Sequence, residues 1–595
     1  MTKGELKLTK AKRKRLVISY LILTLLFFGL LGRLLYLMIF DSKKLNTIAN
    51  SQWTSYLKID AKRGNILDRN NHELAVSADV YRVDLDLTTL RETLKEKKLS
   101  TEAFASELGD ILKIKSEDII SAMNKTVSNG LPASWAPLKR QIEKSEADKV
   151  KALKIFGIIV SQDTKRFYPQ DEFLSHVIGN INGQGNGNSG VEQSYNKELA
   201  GEPGYITFEK DSKSNQLFYA DSRYTVPKDG ESIQLTVDEV IQRFTEKAAE
   251  KALSDNKAKG VSIIITNPKN GEVLAMVNKP DYNLSNPQAG AKTSEELNML
   301  WKNPSVENVF EPGSIFKVIT AAAAMENGTS NENDSFTCSG SLKVSNRIIN
   351  CWQTKGHGTE NFVDILKNSC NVGFIKVGEK LGKDNLNSFI KKLGFGQKTG
   401  IDLPSEASGL VKDVNTMNEV DLATMSFGQG ISVTQIQYMA AFNAIANGGT
   451  WIKPHIMRNL VHYDNKGNIV IDKKFKDYSK RKVLDTGLTS TLRGYMEKVV
   501  SEGVGSKAYI KGLSIGGKTG TAQKAGAKGG YEDNKYMSSF AGLAPVSDPK
   551  ISLIVTIDEP DPSNYYAGQV AAPVAKDLFT EIFNYIALNP DVLTD

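Results

Sequence analysis

The sequence contains a serine and a lysine whose spacing could produce a nucleophile. Ser314 follows a Pro-Gly pair, and Lys317 comes three positions later, just before an apolar stretch at residues 318–325. Residues at positions i and i+3 of a helix share a face, so the hydroxyl and the amine should lie side by side. A lysine whose pKa is lowered by burial and by neighbouring cations can take the serine proton, and free N–H groups at the helix start could stabilise an oxyanion. This spacing alone is common in long chains and more often marks a solvated helix.

Two further elements carry polar side chains that a nucleophilic serine needs. Ser369 and Asn371 follow a helix-like stretch at residues 362–368 and would set a hydroxyl and a carboxamide side by side. The third element is a strand-like run of four residues, Lys518, Thr519, Gly520 and Thr521. Its glycine would let a substrate backbone approach the strand edge closely. Each element is common by itself, but Ser-x-x-Lys, Ser-x-Asn and Lys-Thr-Gly in this order are the signature of penicillin-interacting serine enzymes.

All three cysteines and one of the five histidines fall in one short segment. They occur in the order Cys338, Cys351, His357 and Cys370. Three thiolates and an imidazole form a complete tetrahedral shell for zinc. The spacing differs from the usual Cys-x-x-Cys knuckle, so Asp334 or Asp364 could replace one ligand. We therefore hypothesise a structural zinc, which would help to fix the second element because Cys370 lies between its serine and its asparagine.

Two other interpretations of the cysteines stay open. A disulfide could pair Cys338 with Cys351 across a hairpin, which would leave Cys370 as a buried free thiol and His357 as a turn residue between glycines. Alternatively, all three thiols could be unlinked. In either case, three cysteines in 595 residues exclude an extensive disulfide scaffold.

The N-terminus predicts a single membrane anchor. Residues 1–15 carry seven basic side chains and one acidic one, and residues 16–40 are almost entirely apolar. That stretch is long enough to cross a bilayer as a helix. A cleaved signal peptide is the main alternative, but the stretch is long for one and no small-x-small cleavage site follows it. The positive-inside rule places residues 1–15 in the cytoplasm and the chain after Phe40 outside the cell membrane.

The composition predicts that the rest of the chain is globular. Of the 595 residues, 40% are hydrophobic and 24% are charged, which is enough apolar material for sizeable cores. These values exclude a disordered, collagenous or polytopic membrane protein. The net charge of +7 comes in good part from the N-terminal tail, so nucleic acid is not expected as a partner.

The elements around the candidate residues predict an α+β fold. Alternation predicts a strand at residues 232–237, and Asp238 is placed to cap a helix at residues 239–253. Residues 261–266 and 272–277 flank an Asn-Pro-Lys-Asn-Gly turn and predict a β-hairpin. The predicted parts are a basic tail at 1–15, an anchor at 16–40, an N-terminal domain at 41–228, an α+β domain at 229–585 and a C-terminal tail at 586–595.

Motifs along nearly the whole chain resemble those of class B penicillin-binding proteins, which are membrane-anchored peptidoglycan transpeptidases. N-terminal motifs lie at residues 63–70, at 166–169 with His176 and Gly179, and at 190–192 with Tyr195, Leu199, Gly201 and Gly204. Further motifs lie at residues 426–430, 433–435, 446–449 and 539–545. The resemblance implies an elongated N-terminal pedestal domain of the dimerisation type, and a transpeptidase domain with an antiparallel sheet flanked by helices. We interpret Arg63, Asp68 and Arg69 as members of a buried ion-pair network that links two domains rather than as an active site.

The resemblance also implies a role for the first two elements. Ser314 would attack the carbonyl between the last two D-alanines of a stem peptide, and Lys317 would take its proton. Ser369 would relay a proton to the departing D-alanine, and Asn371 would bind the amide of the donor peptide. No cofactor is implied for this chemistry.

For the third element, the resemblance implies binding of the substrate carboxylate. Lys518 would supply positive potential, and the hydroxyls of Thr519 and Thr521 would bind the carboxylate beside Gly520. Backbone N–H groups of Ser314 and Thr521 would form the oxyanion hole. The amine of a neighbouring stem peptide would then release the acyl-enzyme and form the cross-link, and β-lactams would acylate the same serine.

Within the family, the residues around Cys351, His357 and Ser369 most resemble the division and sporulation branch, the members similar to stage V sporulation protein D. The family implies a place in septal or spore-cortex wall synthesis. It also implies partners in the membrane, namely a glycan polymerase of the SEDS type and other division or sporulation proteins. A β-lactamase is disfavoured by the large N-terminal domain and by the lack of an evident glutamate base. The alternative function is a β-lactam sensor or a catalytically weak scaffold.

Overall fold

The computed structural model describes residues 10–45, 54–126, 130–209, 223–475, 478–526 and 529–593. The chain divides into two compact units. The larger unit comprises residues 62–79, 164–201 and 229–595, and the smaller one comprises residues 1–61, 80–163 and 202–228. All candidate site residues belong to the larger unit. One boundary falls between Lys228 and Asp229, but two segments that precede it pack in the larger unit, and the five-part division of the chain stays a prediction.

The strands of the described chain are numbered in chain order. They are β1 (Thr54–Ile59), β2 (Ile66–Leu67), β3 (Glu73–Asp86), β4 (Trp135–Ile142), β5 (Ile158–Phe167), β6 (Gly204–Glu209), β7 (Arg223–Thr225), β8 (Ser232–Leu235), β9 (Gly260–Thr266), β10 (Val273–Lys279), β11 (Ser335–Cys338), β12 (Ser341–Val344), β13 (Arg347–Asn350), β14 (Gly358–Asn361), β15 (Thr450–Ile452), β16 (Met457–Tyr463), β17 (Ile469–Lys474), β18 (Lys480–Lys482), β19 (Gly516–Ala525), β20 (Tyr531–Ala544) and β21 (Ile551–Asp558).

The α-helices are numbered in the same way. They are α1 (Lys10–Ile39), α2 (Leu87–Glu96), α3 (Thr101–Leu112), α4 (Ser116–Met123), α5 (Lys144–Ala152), α6 (Ser175–Ile178), α7 (Gly190–Ser194), α8 (Asn196–Ala200), α9 (Glu239–Asp255), α10 (Ser294–Trp301), α11 (Pro304–Glu307), α12 (Lys317–Glu326), α13 (Phe362–Lys367), α14 (Asn371–Leu381), α15 (Lys383–Lys392), α16 (Glu419–Met425), α17 (Gln435–Ala446), α18 (Thr486–Ser501) and α19 (Ala567–Leu588).

A five-stranded antiparallel sheet forms the centre of the larger unit. Its strand order is β10-β9-β21-β20-β19, so β19, which carries the Lys-Thr-Gly element, lies at one edge. Successive side chains of a strand point to opposite faces. Ile263 and Ile265 of β9 therefore pack with α9 and α19 on one face, while Ile264 packs with the helices on the other. Both faces are buried, and the prediction of an α+β domain with an antiparallel sheet flanked by helices is confirmed.

A second sheet of the larger unit begins with β17, β16, β8, β2 and the first part of β3. Next to it, the N-terminal motifs form a buried ion-pair network. The carboxylate of Glu192 accepts hydrogen bonds from Arg63 Nε at 2.5 Å and from Arg166 Nε at 2.7 Å, and all three side chains are buried. Arg69 pairs with Glu272 at 3.4 Å in a similarly buried position. The interpretation of these arginines as structural is consistent with this network.

The smaller unit has its own hydrophobic core. Helices α2 to α5 pack on strands β4, β5 and the later part of β3, and the buried residues include Leu85, Phe104, Leu108 and Ala136. Strands β1, β6 and β7 form a separate antiparallel sheet of three strands. Helix α1 contains the one segment of the described chain that is long and apolar enough to cross a membrane, at Lys12–Ile39.

Several local predictions around the site are confirmed. Asp238 caps α9 by accepting hydrogen bonds from the backbone N–H groups of Val240 and Ile241. Strands β9 and β10 form the predicted hairpin. One detail differs, because Ser314 lies in a 3-10 turn, Gly313–Phe316, and the α-helix begins only at Lys317. A 3-10 turn is frequent at a helix start and brings positions i and i+3 directly above one another.

Candidate active site

Ser314 is held by a short turn between the central sheet and the helical side of the larger unit. Gly313, which has a φ of +55°, donates its N–H to the carbonyl of Gly428 at 2.9 Å. On the other side of the serine, the carbonyl of Ile315 accepts the hydroxyl of the buried Tyr438 at 2.9 Å. Ser314 itself is half-buried. The backbone on both sides of the hydroxyl is therefore fixed, while the hydroxyl can still be reached.

Lys317 is fully buried and makes three polar contacts with the second element. Its Nζ lies 2.7 Å from the carbonyl oxygen of Ser369, 3.2 Å from the Ser369 hydroxyl and 2.7 Å from Oδ1 of Asn371. Burial lowers the pKa of Lys317 to about 8, against the opposing effect of the nearby cysteine sulfurs. The structure thus brings the first two sequence elements together around one ammonium group.

Ser369 has a left-handed backbone, with a φ of +58°. It directly follows α13 and its cap Asn368, and its N–H donates to Leu366, while the N–H of Cys370 donates to Ile365. This pattern is the Schellman motif, in which the left-handed position is usually glycine. The motif turns the chain sharply, so that the Ser369 side chain points to Lys317 rather than along the helix.

Strand β19 brings the third element to the same place. Nζ of Lys518, also fully buried, lies 2.9 Å from the Ser369 hydroxyl. Burial and the charge of Lys317 lower the pKa of Lys518 well below its ordinary value. A Cβ on Gly520 would lie 2.9 Å from both the Ile315 nitrogen and the Pro312 oxygen, so only glycine permits this approach of the strand to the turn of Ser314.

The two threonines of β19 differ in their surroundings. Thr519 is buried beside Lys518. Thr521 is half-buried, and its hydroxyl oxygen accepts the N–H of Ala567 at 3.0 Å, which leaves the hydroxyl proton free to be donated to a ligand. The structure therefore brings together Lys317, Ser369, Asn371 and Lys518 and sets Gly520 against the turn of Ser314, while Thr521 contacts the start of α19.

The cysteine and histidine residues also come together. The ligand atoms of Cys338, Cys351, His357 and Cys370 all lie within 4.8 Å of one another. The three thiols are buried and free, and Nδ1 of His357 lies 3.6 Å from the Cys351 sulfur. A hydrogen bond between the Cys351 and Cys370 thiols lowers the pKa of Cys351. The same bond, together with burial, raises the pKa of Cys370. Nε2 of His357 is buried without a hydrogen-bond partner in the described part of the chain.

Two residues near the site were missed by the sequence analysis. Glu311 accepts hydrogen bonds from the N–H of Gly430 at 2.9 Å and from the hydroxyl of Tyr531 at 3.0 Å. Trp352 donates its indole N–H to the backbone of the second element. Its position within the cysteine segment was the only signal, because a lone tryptophan is more often a packing residue.

Comparisons with known proteins agree over nearly the whole chain. Residues 261–580 match the penicillin binding protein transpeptidase domain, and residues 58–235 match the penicillin-binding protein dimerisation domain. The chain is 34% identical to stage V sporulation protein D of Bacillus subtilis, over 97% of this chain and 86% of that protein. It is 29% identical to the probable peptidoglycan D,D-transpeptidase PenA of Neisseria meningitidis, over 96% and 93% of the two chains. Among solved structures, penicillin binding protein 2X of Streptococcus thermophilus is 27% identical and superposes with a TM-score of 0.72, covering 91% of this chain and 81% of that one.

Proposed function

The chain belongs to the class B penicillin-binding proteins, which are serine-type peptidoglycan D,D-transpeptidases, and on this premise we propose that Ser314 is its nucleophile. A single observation supports this assignment above the others. Lys317, Ser369 and Lys518 come from distant parts of the sequence but meet at the Ser369 hydroxyl, and the strand that carries Lys518 packs against the turn of Ser314, Gly313–Phe316, which we call the nucleophile turn. The enzyme needs no catalytic cofactor, because a serine, a base and hydrogen-bond donors suffice for acyl transfer.

In the first half-reaction, the Ser314 hydroxyl attacks the carbonyl between the last two D-alanines of a stem peptide. Lys317 takes the serine proton, because its lowered pKa leaves part of it uncharged near neutral pH. The backbone N–H groups of Ser314 and Thr521 stabilise the negative oxygen of the tetrahedral intermediate. A bond forms between the Ser314 oxygen and the carbonyl carbon, and the peptide bond to the last D-alanine breaks.

The departing D-alanine needs a proton on its amine. Ser369 supplies it, because its hydroxyl lies between two lysine nitrogens and can exchange a proton with Lys317. Asn371 binds the amide of the donor peptide. Lys518, Thr519 and Thr521 bind the terminal carboxylate beside Gly520.

In the second half-reaction, the amine of a neighbouring stem peptide attacks the acyl-enzyme. The peptide cross-link forms and Ser314 is released with its proton restored through Lys317. β-Lactams enter the first half-reaction as substrates: Ser314 bonds to the lactam carbonyl carbon and the ring C–N bond breaks. The adduct persists because the released amine stays attached to the acyl group, so no acceptor amine can take its place.

The test of this assignment is adduct formation by the purified full-length protein with a fluorescent penicillin. We expect a covalent adduct that peptide mapping places on Ser314, and no adduct with Ser314→Ala. Ser490→Ala, on the exposed side of α18, is the matched control and should form the adduct like the wild type. Labelling that persists in Ser314→Ala would exclude Ser314 as the nucleophile.

We further propose that one structural zinc is held by Cys338, Cys351, His357 and Cys370. Ligand atoms around a tetrahedral zinc lie about 3.8 Å apart, given bonds of about 2.3 Å, and the four atoms here lie within 4.8 Å of one another. The donor set is a complete zinc shell, and the N–H of Gly373 already donates to the Cys370 sulfur at 3.3 Å. Bound zinc would act as a folding constraint, because it ties Cys370 to the loop that contains His357.

The zinc proposal is tested by elemental analysis of protein purified without added metal. We expect about one zinc per chain, and we expect a chelator to lower thermal stability and slow acylation by penicillin without abolishing it. A disulfide between Cys338 and Cys351 predicts the opposite pattern, in which a reductant destabilises the protein and a chelator has no effect. A zinc content near zero would refute the metal site.

The protein is membrane-anchored and acts in cell-wall synthesis. We propose that residues 1–15 lie in the cytoplasm and that the transpeptidase domain lies outside, where stem peptides are found.

We also propose a glycan polymerase of the SEDS type and division or sporulation membrane proteins as partners. The similarity to stage V sporulation protein D supports a place in wall synthesis during sporulation, and localising the protein in growing and in sporulating cells distinguishes this from septal synthesis.

A further inference from the structure

Trp352 lies beside the candidate active site and is held there by its indole nitrogen. Nε1 is 3.1 Å from the carbonyl oxygen of Asn368 and 3.1 Å from that of Ser369. The side chain is 47% exposed, and its ring meets the His357 ring edge-on at 5.4 Å. A tryptophan that is half in solvent contributes little to a core. Its best-defined interactions are these hydrogen bonds.

The two carbonyl groups need donors because of where they lie. The last carbonyls of a helix have no partner within the helix. Ser369 has left the helix with a φ of +58°, a left-handed conformation that is unfavourable for a residue with a side chain. The Trp352 indole donates to both carbonyls, and Lys317 donates to that of Ser369 at 2.7 Å. These donors offset the strain that the left-handed backbone imposes.

The peptide that follows Ser369 also governs the contacts of its hydroxyl. Lys317 contacts both the carbonyl and the hydroxyl of Ser369, while Lys518 contacts the hydroxyl at 2.9 Å. If this peptide rotated, the carbonyl would leave Lys317, and the ammonium group would lose the contact that holds it beside the Ser369 hydroxyl. A donor fixed on the carbonyl from the solvent side therefore controls the geometry of the proton relay.

We propose that Trp352 is a positioning residue for acyl transfer. Its indole N–H fixes the Ser369 peptide and thereby holds the Ser369 hydroxyl between Lys317 and Lys518. This inference rests on the proposed roles of Ser314, Lys317 and Ser369. It predicts that the donor group of Trp352 matters for the acylation rate more than the size of its ring.

The rival explanation is that Trp352 only shapes the loop that contains Cys351 and His357. Two variants of equal length separate the two roles. Trp352→Gln keeps an N–H donor at the same number of bonds from Cα as the indole nitrogen, whereas Trp352→Met has no donor there. If the hydrogen bond matters, the glutamine variant retains activity that the methionine variant lacks.

The experiment measures the acylation of full-length protein in detergent by a fluorescent penicillin, with the rate constant and the dissociation constant of the non-covalent complex determined separately. For Trp352→Phe we expect the rate constant to fall about fivefold to tenfold, as for the loss of one hydrogen bond of about 1 kcal/mol, with little change in the dissociation constant. The rate constant of Trp352→Met should fall by a similar factor, and that of Trp352→Gln should fall by less. Trp135→Phe, in the smaller unit and 46% exposed, is the matched control and should react like the wild type.

Three results would overturn the inference. The first is a rate constant for Trp352→Phe within twofold of the wild type. The second is an equal loss in the glutamine and methionine variants, which would assign the effect to the ring; this pair decides the question if Trp352→Phe folds poorly. The third is a wild-type protein that forms no adduct at Ser314, which would refute the proposed function and remove the premise of the inference.

Discussion

Two lysine nitrogens approach the single hydroxyl of Ser369 in a region closed to solvent. Lys317 and Lys518 lie 3.2 Å and 2.9 Å from it, and both side chains are fully buried. Two ammonium ions this close repel each other, and burial penalises the charge of each. Burial lowers both pKa values, that of Lys317 to about 8, and the charge of Lys317 further lowers that of Lys518. An uncharged amine is what a general base requires, so the burial of Lys317 explains how it can accept a proton.

We expect Lys317→Ala to slow acylation by penicillin by a factor of at least about 100, the range for loss of a general base. The thermal midpoint should change little, because the lysine contributes a desolvated charge rather than a large apolar surface. Rate and midpoint are measured on the same full-length sample. Lys376→Ala is the control, since its ammonium contacts the Thr337 carbonyl and not the second element, and it should acylate like the wild type. Equal rates in the two variants would contradict the role of Lys317.

His176 gives a prediction for stability against pH. Its side chain is buried, with Nε2 3.1 Å from the Leu300 carbonyl, and burial lowers its pKa from 6.5 to about 4 although Asp281 opposes the shift and Lys279 adds to it. Between pH 6.5 and 4 the unfolded chain therefore binds a proton that the folded chain does not. Stability contributed by the neutral imidazole is complete above pH 6.5 and is lost as the pH falls, by up to about 3 kcal/mol.

The measurement for this prediction is the thermal midpoint at pH 7.5 and at pH 5. The decrease between the two should be smaller in His176→Gln than in the wild type. His462→Gln, which changes a half-exposed histidine and leaves the buried one in place, should retain the wild-type decrease. An unchanged decrease in His176→Gln would show that other groups cause the loss of stability.

At the scale of elements, the site depends on how closely β19 approaches the nucleophile turn. Gly520 faces the backbone of Pro312 and Ile315, with room for no side chain. The approach places Lys518 beside Ser369. The glycine of the Lys-Thr-Gly element is therefore a packing requirement as well as a feature that admits a substrate.

We expect Gly520→Ala to slow acylation at least about tenfold, because its Cβ would lie 2.9 Å from two backbone atoms and must push the strand away from the nucleophile turn. Gly526→Ala, just beyond the same strand, is the control, since its nearest contact would be 3.4 Å. Acylation rates and thermal midpoints are compared for both. A Gly520→Ala variant as fast as the wild type would show that the strand can move without cost to the reaction.

The sequence predicted which residues carry the chemistry of the site better than it predicted the contacts that position those residues. Ser314, Lys317 and the strand edge could be found because their order and spacing are local signals. The left-handed backbone of Ser369 could not, since serine rarely occupies that position and its stabilising donors lie in other segments. The role of Trp352 was missed for the same reason. Contacts between distant segments depend on the fold, which a spacing pattern does not describe.

At the scale of the whole molecule, the chain combines an N-terminal apolar helix with a transpeptidase domain. Helix α1 is long enough to cross a bilayer, and all the residues assigned to acylation lie after residue 229. The anchor therefore takes no direct part in the reaction. Its contribution is to keep the enzyme at the surface where stem peptides are delivered, so anchoring matters for wall synthesis in the cell and not for the reaction of the purified protein with penicillin.

The orientation of the anchor gives the last prediction. The basic residues before the apolar helix favour a cytoplasmic N-terminus, because positively charged flanks are retained inside. A reporter that is active only outside the cytoplasm should therefore be active when fused after Phe40, and the N-terminal sequence of the purified protein should still begin before the helix. Replacing the lysines and arginines of residues 10–15 with glutamine should reduce the reporter activity, while exchanging lysine for arginine and arginine for lysine at the same positions, which keeps their charge, should not. An active reporter on a chain that begins near Asp41 would instead indicate a cleaved signal peptide, and an inactive reporter would place the transpeptidase domain on the wrong side of the membrane for its substrate.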